Sequence, residues 1–538
     1  MELNLKKVVV AVCMLCNYSL FAQPDIIFYN GNVITMNPVT NVQEAIAVED
    51  GKIVAVGADA SVLAIKDKET VLINLTGRTL MPGFVDAHAH LFQQAAVDGQ
   101  SLEDVQTNYL MNGITTLGEP TVEEEVLKVL QDFSNSGKLI MNMNLYLRYN
   151  NNCNDPGDEW FIDYPATSDF DATFRIAGVK IFTDGGTCGT IAALTFEYPA
   201  GGYGDLFLSQ QTLEDMLTIV NDNGYQALLH AQGDAAVNRG LDALAEIMGS
   251  SGNPLRHRID HNSFINPVNM SRYSDIGISP VIFGFMDTCT ETNGGGYTNY
   301  FGEDNVPWLE NWRLMHDENP ELPIGWHSDA PNLRLDPISH MASYVTRMEV
   351  DEGDNTLCDP PAWLALHALT IEETLQVMTI GSAYTLNRET SVGSLEVGKQ
   401  ADFVFLSENP LTIPSAELFD LQILGTMAKG IMRYCQEGSE DLCSDIVTGL
   451  SDWREEWVSF FPNPTNDAHG LIMEMDTPAY AEVTIYNAAG QVVFQQPRTW
   501  VKNRLQLDWD NAGEPGGIYM IHAVVNGMLI TRKILLEH

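Results

Sequence analysis

The stretch that decides the fold is Met81–His90, MPGFVDAHAH. A Pro-Gly turn leads into a short apolar run, and the segment ends in two histidines one residue apart. On a β-strand, side chains at i and i+2 point to the same face, so His88 and His90 project together. Two imidazoles side by side at the end of a buried strand are costly unless their lone pairs are used, and a divalent metal uses them. An isolated HxH is more often an ordinary pair of surface histidines, so the rest of the chain has to decide.

Downstream of this stretch the pattern alternates between strand and helix. The expected strands are Leu80–His90, Gly113–Glu119, Leu139–Leu147, Gly178–Asp184, Gln226–His230, Arg258–Asn262, Ser279–Phe285 and Pro323–Asp329. Helical stretches such as Glu123–Phe133, Gln211–Asn223 and Ala235–Met248 fall between them, and two more follow near Ile338–Met348 and Ile371–Tyr384. This is the pattern of an α/β (β/α)8 barrel, in which the C-terminal strand ends converge on one face. His88 and His90 end the first strand, Glu119 the second, His230 the fifth, His261 the sixth and Asp329 the eighth, while Lys180 and Asp184 lie on the fourth. Any one of these alone is more often structural; together they make a metal site.

The flanks read differently. Residues Asp25–Leu80 carry short β-segments with hairpin signals at Asn30-Gly31 and Asp50-Gly51. A matching set, Gly393–Asp402, FVFL and a strand near Ile423–Tyr434, appears after the barrel. Residues 23–79 and 390–435 are therefore expected to pair into one composite β-sandwich around a barrel of residues 80–389. Residues 436–456 read as an acidic linker, and 457–538 as a small all-β sandwich with turns at Gly490 and Asn526-Gly527. At the start, Lys6-Lys7, an apolar run from Val8 to Phe21 and Ala22 read as an export signal over residues 1–22. That run is shorter than the ~20 residues a membrane span needs, and no later segment qualifies.

The formal charge of −44 across 538 residues repels phosphate backbones and excludes nucleic acid as a partner. The acidic clusters at Glu123–Glu125 and Asp351–Asp354 read as solvated surface. Six cysteines remain after the leader: Cys153, Cys188, Cys289, Cys358, Cys435 and Cys443. Without a CxxC spacing they do not suggest a cysteine zinc site, and Cys435 and Cys443, flanking an acidic loop, are the expected disulfide.

The motifs PGFVDAHAH, NGITT, GVKIFTDGG, HAQGDAA, HRIDH, HSDAP and GSLEVGKQADFV together resemble the metal-dependent amidohydrolase superfamily, in the branch of the N-substituted formamide deformylases, over Asp25–Tyr434. The resemblance implies a barrel with a composite sandwich. It also implies that His88 and His90 hold one divalent metal and His230 and His261 a second, with zinc favoured by the imidazoles. A carboxylated Lys180 would bridge the two, and Asp329 would bind metal and act as general base. The alternative for Lys180 is an ion pair with Asp184 or Glu119 beside a single metal. Three departures stand out: His327 where the family has Gly, Asp260 where it has Glu, and a short His90–Gly113 segment at the mouth. His327 and Glu119 are the candidate substrate contacts, with simple packing the alternative for His327, and NGGGY at Asn293–Tyr297 is either a gate or a passive loop.

The tail, with Phe461-Pro462-Asn463-Pro464, Tyr486-Asn487, Gly490, Gly517-Ile518-Tyr519 and Arg532-Lys533, resembles the type IX secretion sorting domain. It implies the secretion machinery as a partner and a secreted or surface-attached product. The expected function is hydrolysis of an amide or N-formyl-type C–N bond in a small molecule. The alternatives are another reaction of the same scaffold, deamination or ester hydrolysis, and an inactive surface binding protein.

Overall fold

Long, fully buried apolar runs build the centre of the molecule. The strand Gln226–Ala231 is buried at every position, as is all but the first residue of Phe174–Phe182. Runs of this kind lack the in–out alternation of a half-exposed strand because both faces of a parallel sheet are covered. In the computed structural model these are two of eight strands: β1 Phe84–Asp86, β2 Ile114–Val122, β3 Asn142–Arg148, β4 Phe174–Phe182, β5 Gln226–Ala231, β6 Arg258–His261, β7 Ser279–Ile282 and β8 Gly325–Trp326. They pair in parallel and in sequence order in a single sheet. The sheet closes between β1 and β8: the Ala87 amide donates to the Trp326 carbonyl at 2.9 Å and the Asp329 amide to the His88 carbonyl at 3.0 Å. The structure describes residues 24–38, 42–151, 157–185, 191–284, 286–351 and 356–443, and in the tail 458–462, 465, 471–475, 479–487, 491–501, 504–507, 509, 511, 514–525 and 528–536.

Amphipathic helices cover the barrel. α1 Leu91–Asp98 and α2 Leu102–Met111 follow β1, and α3 Glu124–Asn135 follows β2. α3 buries Val126, Leu127, Leu130 and Phe133, the one-sided spacing of a surface helix. α4 Gln210–Asp222 starts where the Ser209 side chain accepts from the Thr212 amide, and α5 Asp234–Met248 follows β5 directly.

The expected first strand, Leu80–His90, is two strands in two sheets. Thr79–Pro82 pairs antiparallel with Phe403–Leu406 in a six-stranded sheet, and β1 begins two residues later in the barrel. Gly83 makes the change of sheet possible, since a Cβ there would lie 2.4 Å from the Thr115 hydroxyl. The six-stranded sheet takes strands from both flanks and packs on a four-stranded sheet through Phe28, Leu80, Phe403, Phe405 and Met427. The composite sandwich is thus present, joined at MPGF.

The tail forms a three- and a four-stranded antiparallel sheet around Leu471, Met473, Val483, Ile485, Tyr519 and Ile521. Cys435 and Cys443 form the expected disulfide. Cys289 and Cys358 form another that the sequence reading did not anticipate. Cys153, Cys188, the leader, residues 444–457, Gly490 and Asn526-Gly527 lie outside the described residues. NGGGY is not an open loop: Thr288–Gly294 and Gly296–Phe301 are short helices joined at Gly295, whose φ of 63° turns the corner.

Candidate active site

The strand ends gather the polar residues at one end of the barrel. His88 and His90 lie just past β1 with their Nε2 atoms 3.2 Å apart. The Asp329 Oδ1 atom, from the segment after β8, stands 3.5 Å from His88 Nε2 and 3.3 Å from His90 Nε2. His230 and His261, from β5 and β6, have ring centroids 4.3 Å apart, and those of His261 and His88 are 4.8 Å apart. Among the described residues, His88, His261 and Asp329 offer donor atoms that all lie within 4.8 Å of one another.

The backbone is strained where it delivers these groups. His261 and Asp329 sit at φ of 78° and 56°, a conformation most residues avoid at about 1–3 kcal/mol each. Asn262, also left-handed, holds the first of these turns: its side-chain amide donates to the Ile259 and Val281 carbonyls at 2.8 and 3.1 Å. Asp86 holds the second, accepting from the Ser328 amide at 3.0 Å and the Ser328 hydroxyl at 2.6 Å. Burial pushes the Asp86 carboxyl up to about 7, against the pull of those donors. Neither Asn262 nor Asp86 was expected as a site residue. Asp86 stands inside the opening motif, but its partner is 242 residues away.

Burial and nearby charge set the protonation of these side chains. Burial lowers His230 to about 3 and takes His88 and His261 well below the usual range, Lys180 adding to each shift. These imidazoles are therefore neutral, the form that binds metal. His88 Nδ1 is 2.7 Å from Asp260 Oδ2, so it carries the proton and leaves Nε2 as the donor. Asp260 is itself held by buried Arg258 at 3.1 Å. Burial raises the Asp329 carboxyl, but the hydrogen bond and charge of His90, with His327 and Lys180, outweigh it and hold the group below the usual range.

Lys180 is wholly buried, and its Nζ has no hydrogen-bond partner among the described residues. It pairs with neither Asp184 nor Glu119. Asp184 accepts from the Ala193, Gln232 and Gly233 amides, fixing the loop beyond His230. Glu119, expected at the substrate, accepts from the Gln93 amide at 2.8 Å and so holds the first turn of α1 directly after His90. Burial brings Lys180 down to about 8, opposed by Asp260 and Asp329. Among the described residues, both ring nitrogens of His261 and the Lys180 amine are buried without hydrogen-bond partners. Each such atom costs about 1–3 kcal/mol, and a divalent metal would suit this set of nitrogen donors beside the Asp329 carboxylate.

A cleft of about 800 Å3 opens onto Asp329. Its lining includes the apolar Phe264, Phe283, Met286, Phe301 and Leu309 and the charged Asp287, Glu349, Asp351 and Arg334. Neither Glu119 nor His327 is among the residues that line it. A family model described as "Amidohydrolase family" matches residues 101–434, more than half of the chain. The chain belongs to the amidohydrolase family.

Relatives of this amidohydrolase include the N-substituted formamide deformylase of Arthrobacter pascens, 25% identical over 238 residues, which are 43% of this chain and 41% of the deformylase. They also include an imidazolonepropionase of Shewanella frigidimarina, 24% identical over 426 residues, covering 70% of this chain and 91% of that enzyme. The chain thus spans less than half the length of the deformylase. An uncharacterized metal-dependent hydrolase from Pyrococcus furiosus shares the fold, with a TM-score of 0.58 at 18% identity, over 72% of this chain and all of that one. A Xaa-Pro dipeptidase with bound methionine also shares it, with a TM-score of 0.52 at 17% identity over 76% of this chain and 100% of that one. A second model, the secretion system C-terminal sorting domain, matches residues 459–537 and indicates export to the cell surface or beyond. Among the described residues, no helix is long and apolar enough to cross a membrane.

Proposed function

We propose that this amidohydrolase is an exported, metal-dependent enzyme that hydrolyses a non-peptide C–N bond, of amide or N-formyl type, in a small molecule. The observation that carries the reading is the convergence of neutral His88, His230 and His261, together with His90, on an ionised Asp329, beside a buried Lys180 with no hydrogen-bond partner among the described residues. His88 and His90 would hold one ion and His230 and His261 a second, with Asp329 as a further ligand. Zinc is the metal assigned, since imidazole donors favour it over magnesium. When bound, the metal lowers the pKa of water to ~7 and so makes it a nucleophile near neutral pH.

The protein's own groups do the rest. Asp260 keeps the His88 proton on Nδ1. Asp329 orients the attacking water, takes its proton on Oδ1 and passes that proton to the departing amine nitrogen. Lys180, where its amine is neutral, would attack CO2: the N–C bond forms as one C=O π bond of CO2 breaks, the nitrogen loses a proton, and the resulting carbamate anion would be a further oxygen donor for the metal. The apolar residues of the cleft receive the substrate's hydrocarbon part. Residues 1–22 would direct export, and the tail would engage the secretion machinery.

The likeness to the deformylase supports N-formyl and N-acyl amines as substrates. A second reaction of the same scaffold, deamination, is favoured by a stretch of 93 residues that is 34% identical to an adenine deaminase of Methanococcoides burtonii. A screen of N-formyl, N-acyl and cyclic amides, aminopurines and simple esters on metal-analysed protein separates the readings. Turnover of the N-formyl or N-acyl compounds is expected. Turnover confined to aminopurines or esters would move the assignment to the second reaction, and metal-loaded protein that turns over none of them would point to a surface binding protein.

A further inference from the structure

The barrel interior holds one more imidazole beside the four histidines assigned above. His327 lies two residues before Asp329, wholly buried, and among the described residues neither of its ring nitrogens has a hydrogen-bond partner. His257 and His340, buried away from the cluster, each keep at least one protein partner. His257 Nδ1 accepts from the Ala227 amide at 2.9 Å, and His340 Nε2 donates to the Arg334 carbonyl at 2.9 Å. Among the described histidines, only His261 shares with His327 the loss of both partners. His261 belongs to the group of His88, His261 and Asp329 whose donor atoms converge within 4.8 Å.

His327 packs against that same group, its ring centroid 5.0 Å from His88 and 4.9 Å from His261. It also stands edge-on to Phe283 at 5.1 Å, a contact a phenylalanine would make equally well without burying two polar atoms. Two orphaned nitrogens cost about 1–3 kcal/mol each, which is offset only if a lone pair has a partner that the protein does not supply. We propose that His327 is a metal ligand, so that the segment after β8 contributes an imidazole as well as the Asp329 carboxylate to the metal centre. The proposal rests on the metal-hydrolase reading given above and adds a fifth histidine to it.

The test uses the full chain loaded with Zn2+ and, separately, with Co2+. In wild-type protein, anomalous diffraction at the zinc edge should place an ion about 2.0–2.1 Å from a His327 nitrogen. His327→Gln and His327→Phe should each weaken metal binding in a chelator competition by at least about tenfold and alter the visible Co2+ spectrum, because a ligand is lost. An ion clearly bound by His88 or His261 but more than about 3 Å from both His327 nitrogens would overturn the proposal while leaving the metal-hydrolase reading standing. Unchanged affinity and Co2+ spectrum in folded His327→Phe protein would do the same. If either variant fails to fold, the wild-type zinc position decides. A wild-type chain that binds neither ion would overturn the metal-hydrolase reading as well.

Discussion

A histidine serves a metal well only when one nitrogen is left free, and the residues behind the ligands fix which one. Asp260 does this for His88 at 2.7 Å, and Arg258 keeps Asp260 in place. Asp260→Asn keeps the volume but removes the charge; it should lower metal affinity about 10–100-fold in a chelator competition and, by leaving buried Arg258 without its counter-charge, lower the melting temperature as well. Lys180 makes a prediction about pH. Burial brings it down to about 8, so it is an ammonium below that pH and an amine above it. Only the amine reacts with CO2, so bicarbonate-dependent activation of metal-depleted protein should rise as pH is raised through about 8. That rise should be absent in Lys180→Ala. At this scale the metal-binding candidates were legible because each closes a short apolar run in a recognisable motif. Asp86 and Asn262 were not, because their work is done on Ser328, Ile259 and Val281, and in both cases a deciding partner lies beyond the residue's own strand. The lack of a Lys180 ion pair was equally beyond the sequence, which left Asp184 and Glu119 open as partners.

At the scale of elements, the exit of β1 is set by how closely β2 and β8 approach it. Gly118 on β2 shows the tolerance: a Cβ there would lie 2.1 Å from the Ala87 carbonyl oxygen, which is backbone and cannot step aside. Gly118→Ala should therefore push the Ala87–His90 segment out of place, costing about 1–3 kcal/mol in denaturant unfolding and more than tenfold in kcat/KM. Gly118→Ala unfolding at the wild-type midpoint would show that the segment has slack. Strand order and helix positions were legible from alternating apolar patterns. The break at Gly83 was not, because an unbroken run from Leu80 says nothing about which sheet each half joins. Nor was the pair of short helices at NGGGY, where three glycines suggest mobility and the chain turns a single corner at Gly295.

At the scale of the molecule, the hydrolase and the tail have separate hydrophobic cores. A chain ended after Cys443 should keep the wild-type kcat/KM while failing to reach the cell surface, as read by activity in fractionated cells. The Cys289–Cys358 disulfide also belongs here: its 69-residue separation is a product of the folded topology that no local pattern announces. It ties the Thr288–Gly294 helix to the strand Leu357–Cys358, beside the cleft wall formed by Asp287 and Glu349. Hydrolysis by bound metal and Asp329 acting together remains the proposal that joins these scales. It is tested most directly by stripping the purified chain with a chelator, restoring zinc in measured steps, and following amide hydrolysis against bound metal in wild type and Asp329→Asn. Activity should be lost on stripping and return in proportion to bound zinc in the wild type, and stay at least about 100-fold lower in Asp329→Asn at equal zinc content. Full activity in metal-free protein, or wild-type activity in zinc-loaded Asp329→Asn, would contradict the account.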